Sequence, residues 1–309
     1  MRLYVGVTDG DWFRHLASLR EEERDEVNFW QPSPARLPQM QVGDQFLFKL
    51  KAPDNAIAGG GVFLKSLVMP VSYAWEAYGV KNGAASMGEL RTRLQRLRHD
   101  ARVERGDFDI GCILLSRPFF LKPESWIPQP RTWAPNIVRG RYYDLNSPEA
   151  RHLMDAVSMR MADRTLEQFV AADREREKDP RKVWVLSRPG QGYFRSAVAS
   201  AYNWRCAVTG ERVLPALEAA HIRPHSEKGP NEVRNGLMLR ADIHNLLDRG
   251  YVTVSPDSHF EVSKTVREDF ENGRDYYALH GSTLRLPKAE VEQPSPEFVR
   301  WHNDHVFRG

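Results

Sequence analysis

The first half of the chain alternates short apolar runs with turn residues, which is the pattern of β-strands. Segments such as QVGD and APDNAIAGGG separate these runs and predict turns. Residues 86–103 differ, because apolar residues recur there at helical spacing behind a Ser86–Glu89 capping box. The pattern therefore predicts an α+β fold with a strand-rich N-terminal domain and at least one helix. The predicted strands are 2–7, 45–50, 61–69 and 111–116.

A long helix and a charged segment separate this region from the rest of the chain. Ser147 at the cap position and Pro148 in the first turn predict the start of a helix that extends to residue 173. Alternating charges over 174–182 are typical of a linker. These observations predict an N-terminal domain at 1–145, a connector helix and linker at 146–182, and a C-terminal domain at 183–309.

The 309-residue chain carries 44 Lys and Arg against 41 Asp and Glu, so its formal net charge is +3. This balance permits a nucleic-acid partner but does not indicate one. No apolar run reaches the roughly 18 residues of a membrane span, and early acidic residues do not suit a secretion signal. The two cysteines, Cys112 and Cys206, suit a reducing compartment, so we expect a cytoplasmic protein without membrane contact.

Two strand-like runs joined by turn residues occupy the segment 217–239. Side chains alternate along 217–221 until Pro224 interrupts the run, and 233–239 resumes the strand pattern. The intervening SEKGPNE is rich in turn residues. These features predict a β-hairpin whose first strand ends at His221.

A short helix is predicted directly after this hairpin. It opens at Ala241, places Leu246–Leu247 on its buried side and stops at Gly250. A hairpin followed by a helix is a ββα unit, and its folding brings His244 of the helix close to His221. The sequence therefore predicts one site built from two imidazoles that are distant in the chain.

The residues AHI-x-P, NGL-x-L and H-x-x-x-D-x-G occur here in an order and spacing that resemble the HNH, or ββα-metal, nuclease family. The resemblance implies a C-terminal ββα-metal (HNH) nuclease domain that hydrolyses phosphodiester bonds in DNA. It implies that His221 is the general base, a role that suits an imidazole with a reference pKa of about 6.5. His244 would bind metal, and Asn235 would either fix the loop that orients His221 or approach the metal.

The same resemblance implies one divalent metal ion. Imidazole, carboxylate and amide donors suit Mg²⁺ or Mn²⁺, with Co²⁺ and Ni²⁺ as further candidates. Many HNH enzymes carry a metal ligand immediately before the base, where this chain has Ala220. Glu218 shares a strand face with that position and is the preferred second ligand; Asp242, His225 and water are the alternatives. Many relatives hold a structural four-cysteine zinc near this motif, but Cys206 lacks the partners, so none is expected.

Basic residues surround this motif, and arginine is a natural partner of DNA phosphates. A solvated basic surface is the alternative for each of them. The predicted DNA-backbone contacts are Arg188, Arg195, Arg205 and Arg223.

The N-terminal domain is dense in aromatic residues between positions 28 and 78. The run NFWQPS, GD-x-FLFK and GGG-x-F resembles the PUA superfamily, in particular EVE-like and YTH-like modules. This resemblance implies a PUA-like β-barrel with helices that holds a modified base in an aromatic pocket. Stacking a flipped base on aromatic rings returns about 1–3 kcal/mol. The expected pocket residues are Trp30 and Trp75 as stacking rings, Asn28 and Ser33 as polar contacts, and Phe63 and Tyr73 as further lining.

An ordinary buried core is the alternative for these aromatic side chains. The glycines at 59–61 would either let a backbone approach closely or form a flexible turn. Trp126 and Trp133 lie in a proline-rich stretch and would either cover a core or line the same cleft.

A PUA-like module joined to an HNH domain resembles modification-dependent, type IV-like restriction endonucleases. The resemblance implies cleavage of double-stranded DNA that carries 5-hydroxymethylcytosine or 5-methylcytosine. Each ββα site cuts one strand, so a double-strand break implies either a homodimer, which is favoured, or repeated nicking. Two alternatives stay open: an HNH nuclease that is indifferent to modification, and a reader of modified nucleic acid that has lost its catalysis.

Overall fold

The computed structural model describes residues 2–37, 39–98, 106–171 and 190–309, without the side chains of 162–171. Contacts along the chain divide it into two compact units, Met1–Ser187 and Arg188–Gly309. The predicted linker at 174–182 and the predicted DNA contact Arg188 lie outside the described residues.

Seven strands form one mixed sheet in the first unit. They are β1 (Arg2–Thr8), β2 (Glu26–Gln31), β3 (Gln45–Leu50), β4 (Ala56–Pro70), β5 (Asp109–Phe120), β6 (Ile127–Pro128) and β7 (Gly140–Asp144). Their order is β2-β5-β4-β3-β1-β7, with β6 paired to β4. β1 runs parallel to β3, and the other pairs are antiparallel. The sheet therefore contains all four predicted strands, together with the unpredicted β2, β6 and β7.

The sheet is open where a barrel was expected. Within the described ranges, no pairing joins the two outer strands β2 and β7, so the predicted PUA-like barrel is not confirmed. The mixed α+β character agrees with the prediction. β4 bends along its length, because its register with β5 shifts between Gly60 and Val62 and again between Phe63 and Lys65.

The glycines at 59–61 lie inside β4, which corrects the predicted turn at this position. A Cβ on Gly59 would lie 2.2 Å from the carbonyl oxygen of Phe119, and a Cβ on Gly60 would lie 2.6 Å from that of Phe46. The neighbouring strands β3 and β5 therefore approach the backbone of β4 so closely that only glycine fits at these positions. The close-approach interpretation holds, and the approaching backbone belongs to the sheet itself.

Helices and aromatic side chains complete the first unit. Trp12 packs edge-on against Phe48, with ring centres 5.1 Å apart, and both side chains are buried. In the predicted helix at 86–103, Ser86 Oγ accepts from the Glu89 amide, but the helix already ends at Leu97. The long helix begins at Pro148 as predicted. The helices are α1 (Gly10–Ser18), α2 (Val71–Tyr78), α3 (Met87–Leu97) and α4 (Pro148–Ala171).

The second unit contains a hairpin, a two-stranded ribbon and five helices in the range 190–309. The hairpin and the helix that follows it form the ββα unit that the sequence predicted. The elements are α5 (Gln191–Ala201), β8 (Leu217–His221), β9 (Gly236–Arg240), α6 (Ala241–Asp248), β10 (Val252–Val254), β11 (Phe260–Val262), α7 (Thr265–Phe270), α8 (Arg274–Tyr277) and α9 (Pro296–His305). None of the described helices is long and apolar enough to cross a membrane.

The ββα unit differs from its prediction in two details. The second strand begins at Gly236, because 233–235 form a 3-10 turn. The buried face of α6 consists of Ile243 and Leu247, whereas Leu246 is half-buried. β8 and β9 pair antiparallel with His221 opposite Gly236, and α6 follows β9 without an intervening loop. Both histidines are thereby placed on adjoining elements.

Candidate active site

His221 is the last residue of β8 and is held on two sides. Its Nε2 lies 2.9 Å from Asn231 Oδ1 in the loop between the strands. Its ring stacks on Phe194 of α5, with centres 3.7 Å apart and planes inclined by 8°. These contacts fix the orientation of the imidazole. The local pattern around His221 contains no signal for either partner.

Burial is the main reason why the pKa of His221 lies below its ordinary value. The hydrogen bond to Asn231 opposes this shift, whereas electrostatic repulsion by the imidazoles of His225 and His244 adds to it. The negative charge of Asp248 also acts on the ring and raises the pKa. The lowered pKa favours the neutral form of His221 at pH 7, and His244 is among the groups whose charge acts on its ring.

Asn235 holds the loop that follows His221. Its side chain is fully buried, its Oδ1 accepts from the Arg223 amide at 2.9 Å, and its Nδ2 donates to the carbonyls of Arg223 and Pro230 at 3.0 Å. Its own carbonyl accepts from the Ile222 amide. Of the two predicted roles, this geometry supports loop fixation, because no part of the side chain is open to an ion.

His244 lies between two carboxylates. Its Nδ1 is 2.6 Å from Glu218 Oε2 on β8, and its Nε2 is 3.4 Å from Asp248 Oδ2 one helical turn later. The sequence analysis did not name Asp248 as a site residue. The signal for it was its position four residues after His244, which places both side chains on one face of a helix.

His244 and its neighbouring carboxylates are the side chains that could hold a divalent cation. No three His, Cys, Asp or Glu side chains of the described segments already converge as a complete metal site. An imidazole with one or two carboxylates, however, suits Mg²⁺, which keeps several waters and takes further oxygens from substrate phosphate. The side chains of Glu218 and Asp248 are about half exposed, at 47% and 54%, so water and phosphate have access.

The other two candidate ligands have different surroundings. Asp242 forms an ion pair with Arg240, whose Nε lies 2.9 Å from Asp242 Oδ1, and this hydrogen bond holds the pKa of Asp242 below its ordinary value. Tyr276 also donates to Asp242 at 3.3 Å. His225 is exposed in the loop after β8. Asp242 is thus committed to structural contacts, which differs from its suggested metal role.

Three of the four predicted DNA-contacting arginines are described. Arg223 donates through Nε to the Glu227 carbonyl at 2.7 Å and lies 5.2 Å from the centre of the Trp301 ring. Arg195 on α5 is half-buried. Arg205 is half-buried, and its Nε finds no acceptor in the part of the chain that the structure describes.

The first unit contains a cavity of about 960 Å³. Trp30 and Ser33, both predicted to contact a base, line it, and so does Trp133, whose place the sequence left open. Trp30 is 7% exposed, and its Nε1 donates to the Asn82 carbonyl at 2.8 Å. Lys49 and Asn55 also line the cavity, and sequence reasoning missed both.

The remaining predicted base contacts lie elsewhere. Asn28 is fully buried, and its Nδ2 donates to Asn82 Oδ1 at 2.9 Å. Phe63 and Tyr73 are 3% and 4% exposed and do not line the cavity. Trp75 is half-buried on α2, also away from the lining. Asn28, Phe63 and Tyr73 are buried within the domain, which corrects their assignment to an open pocket, whereas the assignment of Trp75 stays a prediction.

Comparison with solved structures gives weak similarities. A mutant ZmASCH protein from Zymomonas mobilis matches with a TM-score of 0.33 and 12% identity, covering 50% of this chain and 94% of that chain. A second mutant of the same Zymomonas mobilis protein matches with a TM-score of 0.32 and 13% identity, covering 50% and 96%. The modification-dependent TagI restriction endonuclease matches with a TM-score of 0.29 and 14% identity, covering 98% and 81%.

No curated protein matches the chain. A family model does match its second unit: the model of the HNH endonuclease family covers residues 206–255. This span includes β8, β9 and α6, and with them His221, Asn235 and His244. The chain therefore contains an HNH endonuclease domain at residues 206–255.

Proposed function

We propose that this protein is a type IV-like, modification-dependent restriction endonuclease. In this proposal the first unit recognises modified cytosine in double-stranded DNA, either 5-hydroxymethylcytosine or 5-methylcytosine, and the HNH site hydrolyses phosphodiester bonds. The observation that carries the nuclease assignment is that the span matched by the HNH family model contains both a His221 fixed by Asn231 and Phe194 and a His244 flanked by two carboxylates.

His221 acts as the general base. Asn231 Oδ1 accepts from Nε2–H, so Nδ1 holds the lone pair that takes a proton from the attacking water. Stacking on Phe194 keeps the ring in one plane, and Asn235 keeps the following loop in place. The base is therefore positioned before substrate arrives, which lowers the entropic cost of the reaction.

His244 and Asp248 would hold the divalent cation, through Nε2 and Oδ2. Glu218 binds the opposite ring nitrogen and so orients His244, as carboxylates commonly do behind metal-binding imidazoles. When bound, Mg²⁺ or Mn²⁺ supplies stabilisation of negative charge on the phosphate and on the leaving oxygen. Arg195, Arg205 and Arg223 contribute contacts to neighbouring phosphates.

The cavity of the first unit is the proposed site of the modified base. Flipping a base out of a duplex costs a few kcal/mol, and stacking on an aromatic ring returns about 1–3 kcal/mol. Trp30 and Trp133 are the aromatic side chains that we assign to this contact, with Ser33 as a polar partner.

The proposal includes a cytoplasmic homodimer. One ββα site cuts one strand, so two copies would make a double-strand break. Both cysteines, Cys112 and Cys206, are free and buried, which suits a reducing compartment. Analytical ultracentrifugation that finds only monomer, with and without DNA, would contradict the dimer.

Cleavage of three DNA duplexes tests the function. Plain, methylated and hydroxymethylated DNA of one sequence are incubated with the full chain, with Mg²⁺ or with a chelator. We expect cutting of modified DNA alone, only with metal, and none by His221→Ala, which retains binding. Equal cutting of all three substrates would identify an indifferent nuclease, and binding without cutting would identify a reader.

A further inference from the structure

Lys49 is a buried basic residue that the nuclease chemistry does not use. It belongs to β3, is 4% exposed and lines the cavity of the first unit. Its Nζ donates to Asn55 Oδ1 at 3.1 Å and lies 5.4 Å from the centre of the Trp133 ring. No Asp or Glu of the described residues forms an ion pair with it. Among the described residues, the cavity thus holds a cation that lacks a counterion.

A buried ammonium without a counterion is costly, and one amide contact with one aromatic face offsets only part of that cost. Burial accordingly lowers the pKa of Lys49. The ammonium has three N–H donors, of which Asn55 takes one. An acceptor that enters the cavity would therefore gain a charge-assisted hydrogen bond and relieve the desolvation penalty at the same time.

Most of the charged residues that line the cavity with Lys49 are basic. Lys51, Arg98 and Arg139 also line the cavity, and Asp9 is the single acidic residue among the described lining residues. The Asp9 carboxylate caps α1 by accepting from the amides of residues 11 and 12. The lining therefore favours an anionic or oxygen-bearing ligand over an apolar one.

We propose that Lys49 selects among base modifications by pairing with an oxygen that the modification carries. This inference rests on the proposed function, in which a flipped modified cytosine occupies the cavity. It ranks 5-carboxylcytosine above 5-hydroxymethylcytosine and both above 5-methylcytosine. A carboxylate gives the buried cation a counterion, a hydroxyl gives it a neutral hydrogen bond, and a methyl group gives it neither.

Anionic oxygen is also present on every DNA phosphate, so the test compares duplexes that differ in one base only. Fluorescence anisotropy with the full chain in EDTA measures binding to duplexes that carry one cytosine, 5-methyl-, 5-hydroxymethyl- or 5-carboxylcytosine. For the wild type we expect 5-carboxylcytosine to bind about tenfold tighter than 5-methylcytosine, because it gains a charge-assisted hydrogen bond; tenfold corresponds to about 1.4 kcal/mol. Lys49→Met is expected to reduce that ratio to about twofold or less.

Lys51→Met is the matched control, because Lys51 is exposed and lines the same cavity two residues further along. Lys51→Met is expected to weaken binding to all four duplexes by the same factor, so that the ratios of their affinities are preserved. If Lys49→Met also weakens binding to all four duplexes equally, Lys49 pairs with backbone phosphate and the inference is wrong. A wild type that binds all four duplexes alike contradicts the proposed function itself.

Asn55→Asp provides a second variant should Lys49→Met fail to fold. Asn55 Oδ1 lies 3.1 Å from Lys49 Nζ, so the new carboxylate would form an ion pair with the ammonium and compete with the ligand for it. The advantage of 5-carboxylcytosine over 5-methylcytosine should then fall several-fold. An unchanged advantage would overturn the role of Lys49.

Discussion

Glu218 Oε2 lies 2.6 Å from His244 Nδ1, which joins β8 to α6 through two side chains. Because the carboxylate occupies this nitrogen, Nε2 is the nitrogen that faces Asp248, whose Oδ2 is 3.4 Å away. A carboxylate behind an imidazole fixes its ring and tautomer. The geometry supports an orienting role for Glu218, whereas the sequence suggested direct metal binding.

Replacing Glu218 should therefore weaken metal binding more than it lowers the maximal rate of cleavage. For Glu218→Ala we expect the Mg²⁺ concentration at half-maximal cleavage to rise about 10–100-fold, with much of the maximal rate recovered at saturating metal. Metal titration of cleavage measures both quantities. Glu227→Ala, an exposed carboxylate in the loop after β8, is the control and should leave the titration unchanged. A Glu218→Ala titration that overlays the wild type would exclude the orienting role.

Asn235 should contribute strongly to stability, because it is fully buried and makes three side-chain hydrogen bonds to backbone groups. Asn235→Ala leaves these groups unsatisfied and is expected to lower the free energy of unfolding by about 2–4 kcal/mol. Urea denaturation followed by circular dichroism measures this change. Asn245→Ala on the exposed side of α6 is the control and should change stability by less than about 0.5 kcal/mol.

Cleavage should lose activity on the acidic side only below about pH 6.5, the ordinary pKa of an imidazole. The folded-state pKa of His221 lies below that value, so the neutral base persists as pH falls until the lower pKa is reached. The hydrogen bond that His221 Nε2–H donates to Asn231 Oδ1 stabilises the protonated ring, so Asn231→Ala should move the acidic limb to still lower pH. A pH–rate profile at saturating metal tests both statements, and an acidic limb above the ordinary imidazole pKa in the wild type would contradict them.

Gly60 should tolerate no side chain. A Cβ there would lie 2.6 Å from the carbonyl oxygen of Phe46, which belongs to a backbone that cannot yield without disturbing β3. We expect Gly60→Ala to destabilise the protein by about 1–3 kcal/mol. Gly88→Ala is the counterpart in α3, where the nearest atom is 3.9 Å away, and it should be neutral or stabilise by up to about 1 kcal/mol. Differential scanning calorimetry of both variants makes the comparison.

The local pattern of the sequence was sufficient to predict the order of elements in the ββα unit. Strand alternation ended at His221, turn residues followed, and a helix opened at Ala241, as the structure has it. The strand β2 was not predicted, although its first four residues alternate between polar and apolar; all six of its residues are buried, including the polar ones. The local pattern also placed the start of β4 too late, because the glycines that predicted a turn are required by the close approach of neighbouring strands.

The sequence by itself predicted the hairpin and the helix that carry His221 and His244, since periodicity and turn chemistry act between near neighbours in the chain. Its resemblance to the HNH family indicated which residues belong to the motif. The tertiary structure alone decided what each side chain touches: Asn231 and Phe194 against His221, and Glu218 behind His244. It also separated Trp30, which lines a cavity, from Asn28, which is packed away. Such contacts join distant segments, and packing of the whole unit fixes them, so no local pattern encodes them.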